Sequence, residues 1–113
     1  MTKAEVRKLL INIRDKCKNP KFKTTFEGAV IGEISDSLYN LIKAIGGFDQ
    51  DYFEHMKNIG DDFENKINTL SFQECHTILT YMLRSEHWSP GLLAEYLENG
   101  SVYALLVRMN ETL

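Results

Sequence analysis

Three times in this chain a Ser or Thr is followed three residues later by Glu, and each pair heads a run whose apolar residues recur at helical spacing. The pairs are Thr2 with Glu5, Thr24 with Glu27, and Ser71 with Glu74. In such a capping box the hydroxyl accepts the backbone N–H three residues on, and the carboxylate reaches back to the N–H of the hydroxyl residue. Two donors that a helix start leaves orphaned are thereby satisfied. A chain with three such starts is constrained to pack helices on helices.

The first stripe, Val6, Leu9, Leu10, Ile13 and Cys17, predicts a helix over 2–18 that ends before Asn19-Pro20. A second stripe runs from Phe26 through Val30, Ile34, Leu38, Leu41 and Ile45 and stops at Gly46-Gly47. Its start is open between Thr24 and Ser35, because "KFKTTF" alternates like a strand. Gly28 and Gly32 also weaken those turns by about 1 kcal/mol each relative to Ala. Asp49 is placed to cap a short third helix carrying Tyr52, Phe53 and Met56, stopped at Gly60, and "GDDFENKINT" reads as a loop or frayed turn. Ser71 opens a fourth helix, with Leu70 and Cys75 spaced as an apolar staple before Ile78, Leu79, Met82 and Leu83. Two short helices, Pro90 to about Glu98 and Ser101 to about Met109, complete the expectation: an all-α, compact single-domain bundle of about five to six helices.

Composition narrows the function classes. At 113 residues with 43% hydrophobic and 26% charged content, the chain suits one soluble domain spanning 1–113. No apolar run reaches membrane-spanning length and no secretory leader is visible, so a cytoplasmic location without membrane association is expected. Two cysteines, Cys17 and Cys75, are too few for a disulfide framework. Net charge is −3 but unevenly spread: residues 1–23 hold eight Lys or Arg against two acidic residues, and the remainder holds five against fourteen.

The densest chemistry is "RSEHWSPG", residues 84–91. Ser89 suits an N-cap, Pro90 the first helical position and Trp88 a staple onto Leu93, which makes the segment a corner between helices. Arg84, Glu86 and His87 remain. Arg84 points away from the Ile78/Leu79/Met82 face, alongside Gln73, Thr77 and Thr80. The structural reading has it bonding the last carbonyls of its helix or pairing with Glu95 or Glu98. The functional reading is a candidate anion or partner site of Arg84, Glu86, His87 and Trp88, facing the N–H groups of the next helix.

Other chemistry is harder to build. Cys75 and His76 are adjacent on a helix and diverge by about 100°, so they cannot form a nucleophile and base pair. The three histidines lack metal-ligand spacing, and no phosphate loop, nucleophile elbow or dinucleotide fingerprint occurs, so neither metal nor cofactor is expected. On the first helix Lys3, Arg7, Arg14 and Lys18 form a basic stripe about 60° wide, which could meet nucleic acid, an anionic surface or an acidic partner. The plainer reading is a solvated face balancing the acidic remainder. A helix-turn-helix reading of the last three helices fails on residue type, since the helix after Pro90 offers Leu92, Leu93, Glu95, Tyr96 and Glu98 but no base-reading donor before Asn99.

The run "LTYMLRSEHWSPGLLAEYLENGSVYALLVRM" resembles the C-terminal part of an uncharacterised bacterial family, domain of unknown function 6508. Arg84, Glu86, Gly91, Gly100 and Arg108 match its pattern, while His87 and Trp88 stand where the family has Arg and Phe. "GGFDQDYFEHM" is similar to the family's Phe-Asp-Trp segment, with Gln50 in place of Trp. The likeness spans roughly residues 38 to 110. It implies a small helical bacterial protein, phage-borne or plasmid-borne, and carries no activity to transfer. The favoured expectation is a protein-interaction or regulatory module whose partner is another protein or a second copy. Nucleic-acid association through the basic helix is the alternative, and an enzyme or anion site around Arg84 and His87 is the third reading.

Overall fold

Thr2 Oγ1 accepts the Glu5 N–H at 3.2 Å, and its own hydroxyl donates to Glu5 Oε1 at 3.1 Å, which starts helix α1, Lys3–Cys17. The computed structural model describes residues 2–18 and 27–113, with side chains described for 2–18 and 33–113. Helix α2 spans Glu27–Ala44, so the Thr24 half of the second box lies outside the described residues. Its C-terminus is a Schellman turn: Gly47 N–H reaches the Ile42 carbonyl at 2.8 Å, Gly46 N–H reaches that of Lys43 at 3.3 Å, and both glycines have positive φ.

Helix α3 covers Tyr52–Ile59, but Asp51 and not Asp49 occupies its N-cap position. Asp49 sits two residues earlier and accepts the Asp51 N–H at 3.0 Å, an Asx-turn that delivers the chain into the helix. The acidic stretch expected as loop forms two 3₁₀ turns, Phe63–Asn65 and Ile67–Thr69. Each buries an apolar anchor, Phe63 and Ile67, which explains why so charged a segment is ordered.

Helix α4, Phe72–Trp88, opens on the complete Ser71–Glu74 capping box, with Leu70 and Cys75 both buried. Helices α5, Leu92–Glu98, and α6, Ser101–Thr112, follow. Helix α6 lies against α1, α4 and α5, while α2 packs on α1 and α4, and α3 packs on α4. The common core of these contacts includes Leu10, Leu38, Ile78, Met82, Leu105 and Leu106, all solvent-inaccessible. The fold is all-α among the described residues. No helix there is long and apolar enough to cross a membrane.

The 84–91 corner departs from expectation. Helix α4 continues through Trp88, and Ser89 is its C-cap, not the N-cap of α5. Leu92 N–H returns to the Ser89 carbonyl at 3.1 Å, and Gly91 at φ +99°, ψ −11° has the conformation of the third residue of a type II turn, with Pro90 in the preferred second place. Ser-Pro fits the first two positions of that turn as well as it fits an N-cap and first helical position, so local pattern alone could not choose. What decides is Glu86, whose carboxylate accepts the Gly91 N–H at 2.9 Å and the Leu93 N–H at 2.7 Å. The start of α5 is thus capped from the preceding helix. Trp88 is consequently not a staple on Leu93: it is 78% exposed.

Candidate functional site

Residues His76, Thr77, Thr80 and Arg84 follow one another at spacings of one, three and four along the flank of α4, and the segment Gly47–Asp49 is bound to the first three. His76 Nε2–H donates to the Gly47 carbonyl at 2.7 Å. Asp49 N–H donates to Thr80 Oγ1 at 3.1 Å, and Thr77 Oγ1–H donates to Asp49 Oδ2 at 2.6 Å. That same oxygen accepts His55 Nδ1–H from α3 at 2.6 Å. Thr77 and Thr80 on the helix flank and Asp49 on the loop are all buried, and they satisfy one another across this clamp.

The clamp sets charge states. Burial works against an ionised Asp49, but hydrogen bonds from His55, Thr77 and the Asp51 N–H together hold its carboxyl below the ordinary value. The hydrogen bond to Asp49 raises His55 above the ordinary imidazole value, against the opposing effect of desolvation.

By fixing Asp49, the clamp places Phe48 next to the last turns of α4. The Arg84 guanidinium lies over the Phe48 ring, 5.6 Å from its centroid, and Tyr39 of α2 meets the same ring edge-on at 5.7 Å. Tyr39, Phe48, Leu83, Arg84, His87 and Trp88 enclose an open cavity of about 360 Å³. His87 and Trp88 form its second aromatic pair, edge-to-face at 5.0 Å. A smaller recess of about 70 Å³ continues past Arg84, lined by Gln50, Tyr52 and Thr80 among others. Of the three exposed large apolar side chains among the described residues, Tyr39 and Trp88 line the cavity, and Phe53 stacks at 4.5 Å on Tyr52, which lines the recess.

The structure therefore brings Arg84, His87 and Trp88 together and sets Glu86 apart as the cap of α5. Arg84 makes no ion pair with a described residue, so the expected engagement with Glu95 or Glu98 does not occur. Nor can Arg84 and His87 share an anion with the α5 start, whose Gly91 and Leu93 N–H groups are taken by Glu86. On α1, Arg14 is bonded to Asp15 at 3.1 Å, while Lys3, Arg7 and Lys18 are exposed. Cys75 is buried and its thiol is pushed up to about 12 by that burial, and Cys17 likewise, so neither is a nucleophile at neutral pH. No group of three or more metal-ligating side chains occurs among the described residues.

Sequence reasoning missed Tyr39, Phe48 and the Asp49 clamp. The available signal was the polar strip Thr77, Thr80 and Arg84 on a helix otherwise apolar at those depths, which demands a polar partner from elsewhere in the chain.

The family model for DUF6508, a family of unknown function, matches residues 17–113. The chain belongs to that family. The match extends upstream of the 38–110 likeness to Cys17 and takes in the whole of α2, while the basic stretch of α1 before Cys17 falls outside it. No curated protein and no solved structure matches the chain. Of the residues that carry the DUF6508 resemblance, Glu86 caps α5, Gly91 and Gly100 adopt positive φ at the starts of α5 and α6, and Arg108 Nε–H donates to the Leu70 carbonyl at 2.7 Å. Those four hold the DUF6508 frame together. Arg84 alone is directed to the open cavity.

Proposed function

We propose that this DUF6508 protein is a cytoplasmic bacterial interaction module that docks a partner protein on the face formed by Tyr39, Phe48, Arg84, His87 and Trp88, and that it acts by binding, not by catalysis. The observation that carries this reading is Trp88 standing 78% exposed on the rim of a cavity that also holds an Arg without an ion partner among the described residues. Trp, Tyr and Arg are the residue types that dominate protein interfaces, because each offers large contact area together with a polar group. Clustered exposed aromatics on a small domain mark an interaction surface more often than a solvated one.

The basic stripe of α1 supports nucleic-acid association less well. Arg14, near the middle of its charge, is already committed to Asp15.

Photocrosslinking tests the proposal. A benzophenone side chain is placed at Trp88 or, as control, at the exposed Glu111 on α6, which does not line the cavity. Adducts to a defined host protein from position 88, absent from position 111 and lost when Arg84→Glu is added, are expected. Equal adducts from both positions, or none from 88, would overturn it.

A further inference from the structure

We infer that the Arg84 cavity receives an acidic segment of the partner, with a carboxylate on the Arg84 guanidinium and a neighbouring apolar side chain held between the aromatic walls. This assignment rests on the docking face described above and specifies what occupies it.

Taken alone, Tyr39, Phe48 and Trp88 around one cavity form the kind of aromatic cage that holds cations, since ring faces carry negative potential. The charges of the site decide otherwise. Arg84 already occupies the face of Phe48, so the attraction a cation would seek there is taken. A second cation would meet the guanidinium, and no Asp or Glu lines the cavity to offset the repulsion. An anion meets the reverse situation. Beside Phe48 the guanidinium makes no ion pair with a described residue, and its planar fork of donors matches the two oxygens of a carboxylate.

The apolar part of the ligand follows from what the cavity offers beyond charge. Leu83 among the lining residues is already buried, and the accessible apolar surface is aromatic: the Tyr39–Phe48 and His87–Trp88 pairs line the cavity, with Tyr39 39% and Trp88 78% exposed. A bare anion would leave these surfaces wet. A volume of about 360 Å³ is at the small end for ligand sites and suits one or two side chains, not a whole helix. Charge complementarity selects an acidic segment although the chain itself is acidic overall: no carboxylate lines this cavity, and Asp49, which lines the adjoining recess, spends its oxygens on Thr77, His55 and the Asp51 N–H and forms no ion pair with Arg84.

Trp88 is the sole tryptophan of the chain, so its emission reports on this cavity directly. Random copolymers serve as probes: glutamate with phenylalanine, lysine with phenylalanine, and glutamate alone. The glutamate–phenylalanine copolymer is expected to shift Trp88 emission saturably and to bind more tightly than polyglutamate, with the lysine copolymer silent. Arg84→Gln, checked for unchanged helicity and unfolding midpoint, is expected to weaken binding about tenfold or more, as loss of a charge-assisted hydrogen bond does. Unchanged affinity in Arg84→Gln, or binding of the lysine copolymer, would overturn the assignment. So would displacement by inorganic phosphate but not by acetate at equal ionic strength, which would identify a phosphoryl ligand. If position 88 crosslinks a partner while the glutamate copolymer is silent, the docking face stands and its acidic occupant does not. If both fail, the face itself is wrong.

Discussion

The Glu86 carboxylate bridges the corner between α4 and α5, one oxygen 2.9 Å from the Gly91 nitrogen and the other 2.7 Å from that of Leu93. A single side chain on the last turn of one helix thus satisfies two donors at the start of the next. Glu86→Ala is expected to destabilise by about 1–3 kcal/mol, the range for removing a charged acceptor from backbone donors. Glu86→Gln keeps one carbonyl acceptor and should lose about half as much. Urea unfolding with constant m-value measures both, and midpoints equal to wild type would contradict the bridge.

Trp88 gives the opposite expectation. A buried staple would lose several kcal/mol on truncation, but a side chain 78% exposed should change stability by about 0.5 kcal/mol or less in Trp88→Ala. The same denaturation experiment reads this, and a loss of several kcal/mol would mean the ring is packed in solution.

Asp49 and His55 make stability depend on pH in two windows. His55 is raised above 6.5 in the folded state, so its contribution is complete below 6.5 and fades as pH rises through the raised value. Asp49 is lowered below 3.8, so its contribution is present above 3.8 and fades as pH falls through the lowered value. The stability difference between wild type and His55→Gln should therefore be largest in weakly acidic buffer and shrink on the alkaline side. A difference that grows with alkalinity would reverse the assigned sign.

The α1 stripe is expected not to bind duplex DNA saturably even at low salt. Steeply salt-dependent binding, abolished by reversing Arg7 and Arg14 to Glu, would restore nucleic acid as the partner class.

Helices and their core faces were legible because capping and periodicity are local. Thr2, Ser71 and the Gly46-Gly47 stop all act within a few residues of where they stand, and tertiary packing agrees with them. Two features that shape the site were not legible. Ser89-Pro90-Gly91 satisfies the local rules for a helix start and for a type II turn, and only Glu86 selects the turn. The surroundings of Arg84 depend on Phe48, which arrives from another part of the chain because buried Thr77 and Thr80 fix Asp49. The sequence shows that Arg84 leaves the apolar face, but a long-range polar clamp determines what it meets.

As proposed, the Arg84 cavity is where this DUF6508 protein meets its partner. The most direct test of that proposal is the dissociation constant of the crosslinked partner, once purified, for wild type, Arg84→Glu and Trp88→Ala. Each variant should weaken binding about tenfold or more while retaining the wild-type unfolding midpoint. Affinities equal to wild type in both would show that the partner binds elsewhere.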